Sequence, residues 1–104
     1  VKEITDEFAE NEYAATQKYK GKNIAVTGYV TSIGIGYADK PVVHLHERPD
    51  PRLLDPAVLC FFDKEGPHPG LAELRKGDYV TIVGKFWFYS SLFSVVYLDH
   101  SYIE

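Results

Sequence analysis

Cysteine and methionine are nearly absent from this sequence. It contains one cysteine, Cys60, and no methionine. A single cysteine cannot form an intramolecular disulfide, and a zinc site would need histidine or carboxylate ligands. Cys60 lies in a predicted strand with no helix N-terminus or base to activate it, so we expect a small core residue and not a nucleophile. The chain begins at Val1, and we expect it to be a processed piece of a longer protein.

Positive charge is also scarce. Eleven lysines and arginines stand against fifteen aspartates and glutamates, which gives a net charge of −4. Non-specific nucleic-acid binding depends on basic side chains that neutralise phosphates, so this balance excludes a generally basic surface and leaves only a local patch. No apolar run approaches the length of a membrane span, which predicts no membrane insertion by this segment.

Motifs of catalysis are missing as well. No Gly-rich phosphate loop precedes a helix, and neither a nucleophile elbow nor a His-Glu-x-x-His motif occurs. Gly34 and Gly36 precede a polar turn and a strand, so they do not form a dinucleotide fingerprint. The sequence therefore predicts a protein that is not an enzyme and that uses no cofactor or metal.

Aromatic residues, in contrast, make up 14% of the chain and favour strands. From residue 22 onward, apolar and polar residues alternate with a period of two. Five strands are predicted, at residues 24–31, 41–47, 57–63, 78–89 and 92–103. The predicted interior includes Val26, Val43, Phe62, Ile82 and Leu98.

The first part of the chain has the period of a helix, predicted at residues 5–20. Its apolar stripe consists of Ile4, Phe8, Ala15 and Tyr19. Glu12 falls inside that stripe. We expect Glu12 to fix the helix on the barrel by hydrogen-bonding backbone donors or by pairing with Lys22, with ligand contact as the alternative.

The connections between the strands complete the fold prediction. A proline-rich loop is predicted at residues 48–56 and a short helix at residues 71–76. A lone helix between strands 3 and 4 of a five-stranded set is the layout of the OB fold, a Greek-key barrel. We expect an all-β protein with accessory helices: one OB-fold domain over residues 1–104, with the N-terminal helix in 1–21 and the barrel in 22–104.

Several motifs resemble one known family. They are Asn11-Glu12-Tyr13-Ala14-Ala15, Lys18-Tyr19-Lys20-Gly21-Lys22, Val26 with Gly28 and Val30, Ile33-Gly34, Cys60 with Phe62, and Leu74 before Arg75-Lys76-Gly77-Asp78-Tyr79-Val80 and Gly84. Together they resemble the tRNA_anti-like family over most of the chain. The resemblance implies an OB fold, a nucleic-acid-like binding role and a bacterial envelope or lipoprotein context. Two features depart from it: loop 48–56 is longer than the family's usual hairpin, and His100 stands where many members carry a second cysteine.

The outward face of the strands is the predicted ligand surface. OB folds bind oligomers on their strands and on the loops joining strands 1–2 and 4–5, and aromatic rings stack on bases or sugars. The predicted ligand-binding residues are Tyr29, Thr31, Tyr37, Lys40, His44, His46, Phe61, Lys85, Trp87 and Tyr89. Single-stranded nucleic acid or an oligosaccharide is the expected ligand. The alternative is that these aromatic residues pack beneath the helix and the long loop.

Two other functions are compatible with the sequence. A protein-interaction or scaffold module of the bacterial cell envelope would bind a protein partner by strand addition at an open barrel edge. A metal-dependent enzyme would use His44 and His46, which share one side of a strand but need further ligands. Candidates by residue type are His68, His100, Asp39 and Asp63. We expect a surface histidine pair without metal.

Overall fold

The computed structural model describes all residues from 1 to 104. Its helices are α1 (Lys2–Glu10) and α2 (Glu12–Tyr19). Its strands are β1 (Asn23–Ile35), β2 (Pro41–His46), β3 (Ala57–Phe61), β4 (Tyr79–Ser90) and β5 (Val95–Ile103). All five predicted strands are present with shifted ends. The largest shift is in β1, which continues to Ile35 because its second half pairs with β2.

The five strands close into a barrel in the order β1-β2-β3-β5-β4. Neighbouring strands are antiparallel except for the β3 and β5 pair. A five-stranded Greek-key barrel of this kind is OB-like. The predicted interior is confirmed, because its five residues are at most 3% exposed and share one core cluster: Val26, Val43, Phe62, Ile82 and Leu98. Cys60 is fully buried among them, as predicted, and burial raises the pKa of its thiol.

The predicted single helix is wrong, because the chain forms two helices that meet at Asn11. Asn11 has an extended backbone, with φ −155° and ψ 91°, and its side-chain oxygen accepts a hydrogen bond from Ala14 N at 3.0 Å. Asparagine is among the strongest N-cap residues and is poor in a helix interior, so it ends α1 and starts α2. The apolar stripe is nevertheless confirmed: Ile4, Phe8 and Ala15 are buried, and Tyr19 packs against the core.

Glu12 does not fix the helices on the barrel as predicted. Its side chain is exposed in the first turn of α2. There its negative charge interacts favourably with the positive end of the helix dipole. Glu7 holds the two helices together instead, by accepting hydrogen bonds from Lys18 Nζ at 2.6 Å and from the Tyr19 hydroxyl. These bonds, led by the one from Lys18, lower the pKa of Glu7.

The two ends of the barrel are covered by different segments. At one end Phe8 of α1 stacks on Phe86 and Tyr89, with ring centroids 5.3 and 4.8 Å away. At the other end Leu71 and Leu74 pack against the core from a series of turns, so the short helix predicted between strands 3 and 4 does not form. Gly70 and Gly77, both in left-handed conformations, flank residues 71–76. The six residues between them are too few to nucleate an α-helix. Loop 48–56 lacks regular structure, as predicted.

Candidate ligand-binding surface

Five aromatic side chains meet on the outside of β3, β5 and β4. This aromatic cluster consists of Tyr37, Phe61, Trp87, Phe88 and Tyr97. Phe88 and Tyr97 stack with ring centroids 4.1 Å apart. Trp87 lies 5.1 Å from Phe88, 5.7 Å from Phe61 and 5.9 Å from Tyr37. The rings therefore form one continuous surface.

An irregularity in the pairing of β4 with β5 builds the centre of this cluster. The register of the two strands shifts between Phe86 and Phe88. A regular strand would turn these two residues to the same face, but a bulge re-aims the side chains that follow it. Phe86 is buried, whereas the consecutive residues Trp87 and Phe88 are 40% and 41% exposed.

The cluster has a buried floor and an exposed upper layer. Phe61 is only 6% exposed, because its neighbours Trp87 and Tyr97 and the backbone at Gly36 cover it. Tyr37, in the turn that joins β1 to β2, is 67% exposed. Large apolar side chains left together on a surface mark an interaction site more often than scattered ones do. The exposed rings of the upper layer are therefore the candidate interaction surface.

One ion pair lies beside the rings. Lys40 Nζ is 2.9 and 3.1 Å from the two carboxylate oxygens of Asp99 and 5.8 Å from the centre of the Trp87 ring. Partial burial opposes ionisation of Asp99. Hydrogen bonds from Lys40 and from the backbone N–H of His100 outweigh this effect and hold the pKa of Asp99 below its usual value. Lys85, further along β4, is exposed and forms no ion pair.

A second group of polar residues lies on β1 and β2. This histidine group consists of Tyr29, Thr31, His44 and His46. The Thr31 hydroxyl lies 2.7 Å from His46 Nδ1, and the Tyr29 ring packs on Tyr79 at 4.7 Å. Burial lowers the pKa of both imidazoles, and the proximity of His46 lowers that of His44 further. Both rings therefore favour the neutral form more strongly than a free imidazole does.

The strand registers connect the histidine group to the aromatic cluster. Leu59 of β3 pairs with His44 of β2 on one side and with Tyr97 of β5 on the other. Tyr97 in turn pairs with Phe88 of β4. Paired residues lie side by side on the same face of a sheet. The outer surface thus carries one row of side chains across four strands.

The sequence model of the tRNA_anti-like family matches residues 1–100. The chain belongs to the tRNA_anti-like family. No curated protein sequence is significantly similar to it. Among solved structures, a putative nucleic acid-binding lipoprotein from Klebsiella pneumoniae subsp. pneumoniae MGH 78578 is similar, with a TM-score of 0.71 and 21% identity. The match covers 97% of this chain and 85% of the other, and at this identity it establishes the shared fold alone.

The predicted site residues of this tRNA_anti-like domain fall into three places. Tyr37, Lys40, Phe61 and Trp87 come together in or beside the aromatic cluster. Tyr29, Thr31, His44 and His46 form the histidine group, and Lys85 stands exposed on β4. Tyr89 does not join them, because its ring stacks on Phe8 beneath α1.

Sequence reasoning missed Phe88, Tyr97 and Asp99. Tyr97 and Asp99 alternate with Leu98, which was predicted to face inward, so the same alternation places them outside. Phe88 had no such signal, because regular alternation aligns it with buried Phe86.

His44 and His46 are not part of the cluster of potential metal ligands in this tRNA_anti-like domain. Three potential metal ligands whose donor atoms lie within 4.8 Å of one another are Asp63, Asp99 and His100, and this group excludes both His44 and His46. Its members are already engaged, Asp63 with His100 at 2.6 Å and Asp99 with Lys40. Of the helices, neither is long and apolar enough to cross a bilayer.

Proposed function

We propose that this tRNA_anti-like domain is a non-catalytic binding module that holds a single-stranded nucleic acid against the aromatic cluster. The observation that carries the proposal is the exposure of Tyr37, Trp87 and Phe88 as adjoining rings on one outer surface. Each base stacked on an aromatic side chain contributes about 1–3 kcal/mol. Two or three stacked bases therefore supply useful affinity without sequence preference.

The charges near the cluster limit the electrostatic part of binding. Lys40 is the cation beside the rings and is paired with Asp99, and Lys85 lies exposed on β4 two positions before Trp87. For single strands, the logarithm of the binding constant falls with the logarithm of salt concentration with a slope of about −0.7 for each phosphate neutralised. We therefore propose a shallow salt dependence, with a slope between about −0.7 and −1.4 for one or two lysine contacts.

The bacterial cell envelope is the compartment that we propose for this module. The family resemblance and the similarity to a bacterial lipoprotein support it. Fractionation of the producing cells, with detection of the natural full-length protein, tests this location. Recovery of the protein with cytosolic markers alone would rule it out.

Trp87 makes the ligand test direct, because it is the only tryptophan in the chain and its fluorescence reports on the cluster alone. We expect an oligothymidylate to quench this emission at low salt, and a neutral oligosaccharide of similar length to leave it unchanged. Quenching by the sugar without salt dependence would reassign the ligand to a glycan. No change with either probe would contradict an oligomer-binding role.

A matched pair of variants separates stacking from general surface effects. Phe88→Leu removes an exposed ring of the cluster, and we expect it to weaken oligonucleotide binding about fivefold or more, which corresponds to about 1 kcal/mol. Tyr13→Leu removes a ring of α2 that is 76% exposed and distant in sequence from the cluster, and serves as the control. Equal affinity of the two variants in fluorescence anisotropy would exclude the cluster as the binding surface.

A further inference from the structure

The first half of β1 is an open edge within the closed barrel. β1 pairs with β4 from Asn23 to Tyr29, but it pairs with β2 only from Tyr29 to Ile35. No strand therefore lies on the β2 side of residues 23–28. We propose that this edge binds an extended peptide of another protein, which adds to the barrel as a further strand. This proposal concerns a different surface from the aromatic cluster and does not depend on its ligand.

The directions of the main-chain groups along β1 show which residues face the open side. Lys22 O accepts a hydrogen bond from Phe86 N at 3.0 Å, so the even-numbered residues of this half direct their polar groups toward β4. Main-chain groups alternate in direction along a strand, so those of the odd-numbered residues point to the open side. The N–H and C=O groups of Asn23 and Ala25 thus stand exposed without protein partners, like those of any edge strand.

One polar group of this edge is already bonded in the way that an added strand would require. Thr27 O accepts a hydrogen bond from the Val1 ammonium at 3.1 Å. A nitrogen donor therefore reaches the position where the N–H of an incoming strand would lie. A polypeptide is the polymer that presents N–H and C=O groups at the repeat needed to continue from Thr27 to Ala25 and Asn23.

The residues that line the groove beside this edge determine which peptide side chains it favours. An open groove of about 620 Å³ follows the first half of β1 and is also lined by residues of both helices. Ile4 and Val26 line it but are only 6% and 3% exposed, so the groove offers main-chain groups and charged side chains more than apolar surface. Lys22 lies at one end without an ion pair and Glu3 near the other. An acidic residue near Lys22 and a basic residue near Glu3 would complement these charges.

A single peptide fits this groove better than a second copy of the chain does. Val1, which leads into α1, contacts the edge at both Thr27 and Gly28. The β1 strand of a second copy would bring its own α1 into the same groove. A free peptide carries no such helix.

Ala25→Pro tests the proposal at one atom. The Ala25 N–H faces the open side, so proline removes a donor that an added strand needs and leaves the β1–β4 hydrogen bonds in place. Ala25→Val keeps the donor and is the matched control. Peptides selected on the whole chain from a phage-displayed random dodecapeptide library serve as probes. We expect them to bind the wild type and Ala25→Val equally, and Ala25→Pro about tenfold or more weakly.

A second measurement changes the peptide instead of the protein. Single N-methylation along a selected peptide should abolish binding at alternate positions only, since every second N–H of an added strand faces β1. Phe88→Leu should leave peptide binding unchanged, which separates this site from the oligonucleotide surface. The proposal is overturned if the library yields no peptide, if N-methylation shows no alternation, or if a concentration-dependent dimer sensitive to Ala25→Pro occupies the edge instead.

Discussion

Phe88 is a preorganised residue of the candidate surface, because its neighbours already hold its ring in place in the free protein. Its ring is 41% exposed, yet it is stacked at 4.1 Å on Tyr97 and flanked by Trp87. A side chain that is already held in place loses little rotamer freedom on binding, so more of its stacking energy remains as affinity. The floor residue Phe61 contributes in a different way, because it supports the exposed rings while buried.

His44 and His46 give a pH dependence that can be measured on the free protein. Burial, the main cause, lowers the pKa of both imidazoles below the ordinary value of 6.5. The unfolded chain therefore binds more protons than the folded chain in this range. The contribution to the free energy of unfolding is fully present above the unfolded pKa and is lost as the pH falls through the lower folded-state pKa. We expect the thermal midpoint to fall between about pH 7 and pH 5.

Variants assign this pH dependence to the histidine group. The double variant His44→Gln, His46→Gln should flatten the curve between about pH 7 and pH 5. Tyr13→Leu, at an exposed position outside the group, removes no imidazole or carboxylate and should leave the slope unchanged. Carboxylates with lowered pKa, such as Glu7 and Asp99, act below this window and do not obscure it. An unaltered slope in the double variant would refute the assignment.

Among the elements, the break between α1 and α2 decides how the N-terminal segment covers the barrel. One continuous helix would carry Ile4, Phe8, Ala15 and Tyr19 along a straight line. The extended conformation of Asn11 lets the second helix fold back, so that Glu7 reaches both Lys18 and Tyr19. Phe8 then lies over Phe86 and Tyr89 at the end of the barrel.

The N-cap at Asn11 has a predicted energetic contribution. Asn11→Ala removes the hydrogen bond to Ala14 N and should cost about 1 kcal/mol of stability, the usual value for loss of such a cap. This corresponds to a fall in thermal midpoint of about 4–8 °C for a domain near this size. Asn11→Ser keeps a capping oxygen and should stay close to the wild type. If Asn11→Ala melts at the wild-type temperature, the two-helix arrangement is wrong.

For the whole molecule, closure of the barrel depends on close approach between β4 and β5. A methyl group on Gly84 would lie 2.5 Å from Ser101 Oγ and 2.9 Å from Leu98 Cβ. Gly34, near the end of β1, has no atom within 4 Å of the corresponding position. Both glycines lie in strands, but only Gly84 lies where the sheet coils tightly enough to exclude a side chain.

This contrast predicts unequal effects of the same substitution. Gly84→Ala should lower the free energy of unfolding by about 1–3 kcal/mol, because overpacking forces the neighbouring strand to shift. Gly34→Ala should be neutral or slightly stabilising, since alanine restricts the unfolded chain more than glycine does. Chemical denaturation monitored by Trp87 fluorescence measures both. Equal stability of the two variants would contradict tight closure at Gly84.

Local patterns in the sequence were sufficient to predict the strands and the core residues of this protein. Alternation with a period of two identified all five strands and the buried positions Val26, Val43, Phe62, Ile82 and Leu98. Burial of one face of a strand is a local property of the chain, because successive side chains point to opposite faces. The motifs that resemble the tRNA_anti-like family could also be recognised in the sequence alone, and the family match confirms the resemblance.

Tertiary structure alone decided which of the outward residues meet. The register shift in β4 brings Trp87 and Phe88 to the same surface, and it depends on pairing with β5, not on the local sequence. Lys40 and Asp99 are 59 positions apart and form an ion pair only because the β1–β2 turn folds over β5. Hydrogen-bond registers and long-range contacts are set when strands pair, so no periodicity within a single strand specifies them.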